Sequence, residues 1–157
     1  ISTASAPPPF MPAKSPIERI RRACLAYVEY GLKHPDQYFL VFMERRPAAP
    51  VETSTLTFGD IENDPYAFVC SLTAELVRDG YMAADDKQVA VATQILWEGM
   101  HGMTSLRVST GDDPWIERLE AEAHLNLLLD ILLSGIVQRF PGAKSAAAIK
   151  LLSQGRS

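Results

Sequence analysis

The sequence predicts an all-α fold. Three features predict it: helix starts marked by a capping side chain followed by proline, apolar residues recurring three and four apart, and no segment in which apolar and polar residues alternate. The 157 residues are 47% hydrophobic, which suits one compact domain with a sizeable core.

The elements follow in order. Ser15-Pro16-Ile17-Glu18 spells a capping box with proline at the first helical position. Ile17, Ile20, Cys24, Tyr27, Val28 and Gly31 continue at helical spacing. Pro35 ends this helix and starts the next, whose apolar content is Tyr38, Phe39, Val41 and Phe42. Over 45–63 no period is visible, and the stretch exceeds the roughly 12–15 residues usual for a structureless connection. It reads either as a disordered or plain surface loop or as a lid over a pocket. Asp64-Pro65 restarts a helix with the stripe Phe68, Val69, Leu72, Leu76 and Val77, and Asp79-Gly80 stops it. Asp85, with Gln88 three residues on, caps a long helix expected over 86–108. Gly111-Asp112-Asp113-Pro114 is a turn and a new cap, from which a helix is expected over 114–137. Phe140-Pro141-Gly142 closes it, and 146–152 suits a short terminal helix. The chain thus divides into a Pro/Ser-rich linker (1–15), a helical domain (16–142) and a tail with a short helix (143–157).

Charge narrows the function. A net charge of -4 argues against these residues gripping a phosphate backbone by themselves. The basic knot Arg19, Arg21 and Arg22, with Glu18 beside it, reads as a solvated helix face. Cys24 and Cys70 lack Cys-x-x-Cys spacing and read as free thiols in a reducing compartment. The start has no basic region followed by an apolar one, and no secretory leader is expected. The longest apolar stretch, 125–137, is interrupted by Asn126 and Asp130 and falls short of the roughly 20 residues a membrane helix needs. A cytoplasmic protein without membrane association is expected.

The two long helices carry more apolar surface than one buried stripe requires. The first has Val89, Ala92, Leu96, Trp97, Met100 and Thr104 on one side and Val91, Ile95, Gly99, Met103 and Leu106 on another. The second is apolar nearly all round. A homodimer is the simple solution, with Leu125, Leu128, Leu129, Leu132, Leu133 and Ile136 as its expected interface. The alternative is a central helix in a monomeric bundle.

Trp97-Glu98-Gly99-Met100-His101-Gly102 is the most distinctive stretch. Two glycines in a helix each cost about 1 kcal/mol relative to alanine, so close approach of a helix or ligand is expected there. Trp97, Met100, His101 and Thr104 are spaced to share a face that offers an aromatic, a soft apolar chain, an imidazole and a hydroxyl. That mixture suits a small-molecule pocket, and equally a core tryptophan beside a hydrogen-bonded histidine. Glu98-x-x-His101 matches half of a di-iron motif, but no second copy follows another glutamate. Glu120 and His124 form at most a surface pair. No nucleophile elbow, Gly-x-Gly-x-x-Gly or phosphate loop occurs, so neither a catalytic residue, a metal nor a cofactor is expected. A small helical enzyme with His101 as general base, and a pure dimerisation module without ligand, remain the rival readings.

The Trp97 to Gly102 stretch resembles the Trp-x-x-x-His-Gly signature of the WHG-type C-terminal domain of TetR-family transcriptional regulators. Residues 22–42, with Ala26-Tyr27, His34-Pro35, Tyr38 and Phe42, resemble that domain's opening helix pair. The resemblance covers roughly 16–140. It implies an antiparallel helical bundle of about five main helices that dimerises through its last two. It also implies a cavity for a small-molecule effector, and operator DNA bound through an N-terminal helix-turn-helix, usually as a repressor. No such helix-turn-helix precedes Ser15 here, so DNA binding is expected through a domain missing from this chain. On this reading the effector site is lined by Tyr27, Tyr30, Tyr38, Phe42, Phe68, Leu72, Trp97, Met100, His101 and Thr104.

Overall fold

The computed structural model describes residues 15–45 and 65–154. The linker over 1–14, the Asp64 cap and all but Arg45 of the expected 45–63 loop lie outside the described residues. Helix α1 is Pro16–Lys33. Helix α2, Pro35–Tyr38, runs into one π-helical turn, Phe39–Met43. Then come α3 (Pro65–Arg78), α4 (Asp86–Thr110), α5 (Ala121–Arg139) and α6 (Ser145–Ser153). The described residues form no strand, only an isolated bridge between Met82 and Pro141.

The caps explain most boundaries. The Glu18 backbone N–H donates to Ser15 Oγ at 3.3 Å. At α4 both halves of a capping box form, Gln88 N–H to Asp85 Oδ1 at 2.8 Å and Asp85 N–H to Gln88 Oε1 at 2.9 Å. Gly80 takes φ +81°, the left-handed conformation that ends a helix cheaply only for glycine.

One boundary differs from expectation. Helix α5 starts at Ala121, not at residue 114. Asp113 accepts the Trp115 N–H in a local turn, while Arg118 Nη2 donates to Thr110 O at 3.0 Å and Arg107 Nη2 to Leu119 O at 2.7 Å. These side chains hold the segment in an irregular path, and the helix begins only where the Glu120 carboxylate accepts the N–H groups of Glu122 and Ala123. Those two bonds hold the Glu120 carboxyl below its ordinary range.

Helix α4 is the hub, packed against α1, α3 and α5, while α6 closes over α5. Helices α3 and α5 run antiparallel to α4. Thr73 faces Thr93 while Tyr66 faces Trp97, and Gly99 faces Leu132 while Arg107 faces His124. Helix α1 runs parallel to α4, with Tyr27 near Trp97 and Gly31 near Thr104. Ile20, Cys24, Val28, Leu76, Leu96, Met100, Leu129 and Leu133 meet in the core.

Two further expectations are corrected. The knot on α1 is only partly a solvated face: Arg19 pairs with Glu75 of α3, Arg21 with Asp130 of α5, and Arg22 with Glu18 of its own helix at 3.0 Å. Arg21 is buried and also donates to Asn126 O at 3.3 Å. The two polar interruptions of the apolar α5 are therefore partners of one buried guanidinium. The residues expected at a dimer interface are also placed differently. Leu125, Leu129, Leu133 and Ile136 lie inside the chain's own core, so they offer no surface to a second copy. Leu128 and Leu132 are half-buried and pack near Gly99. The apolar residues of α5 that do face outward are Leu127 and Ile131, the latter 62% exposed.

Candidate functional site

Helices α1, α2 and α4 bring four polar-tipped rings together. Tyr38 is fully buried because Gly31 of α1 has no side chain. A Cβ there would stand 2.8 Å from the Tyr38 ring and 2.4 Å from Thr104 Cγ2. Tyr38 Oη lies 2.9 Å from Tyr27 Oη and 2.6 Å from His101 Nδ1. Tyr27 Oη lies 3.5 Å from the same nitrogen and accepts from Trp97 Nε1–H at 3.4 Å. The His101 ring stacks on Tyr38 with centroids 5.7 Å apart, and Phe42 packs edge-on and tilted against Tyr27 and Tyr38 at 5.2 and 5.0 Å. Burial pushes both phenols upward, Tyr38 far above the ordinary tyrosine range, so both remain protonated donors at neutral pH.

The ten sequence-predicted site residues separate into three groups. Tyr27, Tyr38, Phe42, Trp97 and His101 form the cluster. Leu72, Met100 and Thr104 are buried, with the Thr104 hydroxyl donating to Met100 O at 2.8 Å, so they line no open surface. Tyr30 and Phe68 stand partly exposed and outside it, Tyr30 donating to Gln37 Oε1 at 3.1 Å and its ring meeting His34. The four residues expected to share a face of α4 therefore divide: Met100 and Thr104 point inward, while Trp97, 39% exposed, and the half-buried His101 flank the stripe.

Tyr66 and Gln94 escaped the sequence reading. The Tyr66 ring lies 5.9 Å from Trp97, and Gln94 Nε2 donates to Tyr66 Oη at 3.4 Å. Gln94, Trp97 and His101 stand at i, i+3 and i+7, which was the available signal. A cleft of about 340 Å³ opens elsewhere, between Leu32, Pro35 and the end of α4 at Arg107, Val108 and Thr110. Val108 is seven residues, about 10 Å, beyond His101 along the helix. Among the described residues no cluster of His, Cys, Asp and Glu is arranged to hold a metal ion. No described helix is long and apolar enough to cross a membrane.

Residues 20–132 match the family described as "Tetracyclin repressor-like, C-terminal domain". The chain belongs to this family. No curated protein and no solved structure matches it. The match runs from α1 into α5, so the matched span includes the whole aromatic cluster, all of α4 and the first part of α5 up to residue 132.

Proposed function

We propose that this chain is the effector-sensing and dimerising half of a TetR-type transcriptional regulator, of the WHG type and acting as a repressor in the cytoplasm. It is a binding domain on this reading, not an enzyme, and contact with operator DNA belongs to a separate helix-turn-helix half. The observation that carries the sensing role is the cluster of Tyr27, Tyr38, Trp97 and His101. It holds an imidazole and an indole at the surface on a buried hydrogen-bonded base. Pockets that orient small molecules combine apolar walls with a few such fixed polar groups. The effector acts only through its differential affinity for two arrangements of the dimer.

The dimer reading moves to a different face from the one the leucines suggest. Val91, Ile95 and Leu106 of α4 and Leu127 and Ile131 of α5 remain exposed in a single chain. Two such helix pairs, face to face, make a four-helix interface. The cleft near Val108, rather than at Trp97, favours the second reading, a dimerisation module without ligand.

A thermal-shift screen of aromatic and lipophilic compounds separates the two. Stabilising compounds should lose their effect in Trp97→Ala, which should stay dimeric in sedimentation. Binding unchanged in Trp97→Ala removes this cluster from the site, and no stabilising compound favours the module. A monomer at micromolar concentration removes the dimer. Ile131→Glu should shift a dimer toward monomer, whereas the same change on a free surface leaves the assembly state alone.

A further inference from the structure

The cluster's hydrogen bonds have a direction. Indole Nε1–H only donates, so Tyr27 Oη accepts from Trp97. Tyr27 then gives its own proton to Tyr38 Oη at 2.9 Å, and Tyr38 gives its proton to His101 Nδ1 at 2.6 Å. In this order every proton of the chain has an acceptor within it. The reverse order starts from a proton on Nδ1, passes through Tyr38 to Tyr27, and leaves the Tyr27 proton without an acceptor among the described residues. Thr104, beside Tyr38, gives its own proton to Met100 O, so its oxygen takes the Tyr38 proton only if Tyr38 turns toward it and Nδ1–H donates in its place. The first order needs no such turn and leaves no hydroxyl of this half-buried site unmet within the cluster, so it is the one adopted here. A neutral imidazole that accepts at Nδ1 carries its proton on Nε2.

We propose that the open end of this site is a fixed donor, His101 Nε2–H, and that the effector is an aromatic molecule presenting a carbonyl or carboxylate oxygen to it. The proposal rests on the effector-sensing reading and adds the ligand's chemistry. Trp97 and Phe42 supply apolar faces for the ring. Tyr38, buried under Gly31, is a positioning residue: it holds the tautomer and need not touch the ligand.

The test has two parts. Long-range ¹H–¹⁵N spectra of the ¹⁵N-histidine-labelled chain, with the other two histidines assigned through His34→Gln and His124→Gln, report the His101 tautomer. A protonated Nε2 is expected. A protonated Nδ1, with Tyr38 turned toward Thr104, overturns the proposal while leaving effector sensing open. Tyr38→Phe should convert the spectrum to a mixture of tautomers, and a tautomer indifferent to it also overturns the proposal.

The second part titrates acetophenone, benzoate and ethylbenzene as probes. Binding of acetophenone or benzoate at least tenfold tighter than ethylbenzene, with the His101 Nε2 resonance shifting, is expected. Which of the two binds tells a carbonyl from a carboxylate. Equal binding of all three, preference for ethylbenzene, or binding by none overturns the ligand class. Failure of the sensing reading appears separately, as the absence of any stabilising compound in the wider screen.

Discussion

Gly31→Ala places a methyl group against the two groups that seal the base of the site. In a helix interior, alanine gains about 1 kcal/mol over glycine. Here the added Cβ meets Thr104 Cγ2 at 2.4 Å and the Tyr38 ring at 2.8 and 3.2 Å. Both neighbours are fully buried, and threonine is stiff at χ1, so neither retreats easily. Overpacking costs about 1–3 kcal/mol, and two contacts this short place the change in the upper half of that range. The net expectation is a loss of about 1–2 kcal/mol. Gly102, with no atom within 4 Å of its added Cβ, is the control. Gly102→Ala should gain up to about 1 kcal/mol. Urea unfolding at one fixed protein concentration reads both. Thr104→Ser removes the Cγ2 methyl and should rescue part of the loss, with a coupling of at least about 0.5 kcal/mol in the double-mutant cycle. A Gly31→Ala chain as stable as the wild type, or additivity with Thr104→Ser, refutes the packing argument.

The remaining predictions concern the core. Asp130→Ala removes the carboxylate partner of the buried Arg21 and should cost about 1.5–3 kcal/mol in urea unfolding, the range for hydrogen bonds to charged groups; a loss under about 0.5 kcal/mol would make the pair incidental. Burial pushes the Cys24 thiol up from 9.0 to about 12, so a thiol reagent at pH 8 should modify the half-buried Cys70 first and Cys24 only on unfolding. The same shift has a sign: the unfolded thiol ionises near pH 9 while the folded one stays protonated to about 12. The thiol's contribution should be flat from pH 7 to about 9 and fall as pH rises toward 12, more steeply above 10 where Tyr27 and Tyr38 add their own raised values. Cys24→Ala should flatten the first part of that fall in urea midpoints measured from pH 7 to 11.

Local signals determined the helices. A capping side chain, a proline and a repeat of apolar residues act within one or two turns, so Ser15-Pro16 and Asp85 with Gln88 place α1 and α4 without reference to the rest of the chain. The residue types of the Trp97 to Gly102 stretch mark α4, which supplies Trp97 and His101 to the aromatic cluster. The start of α5 was not legible, because Glu117 to Glu120 suits a helix and the groups that divert it, Arg107 and Thr110, belong to α4. Periodicity places residues on a helix face; it does not say which of two apolar faces the chain's own helices cover. For that reason Leu125, Leu129 and Leu133 read as interface and proved to be core, while Arg21 read as surface and proved to be a buried partner of Asp130. The site shows the same division. Tyr27, Tyr38, Trp97 and His101 are each visible in the sequence, but their order as a hydrogen-bonded chain depends on α1 running parallel to α4 and on the missing side chain of Gly31. Contacts between residues about 60 to 75 positions apart are chosen by packing, and only the tertiary structure contains that choice.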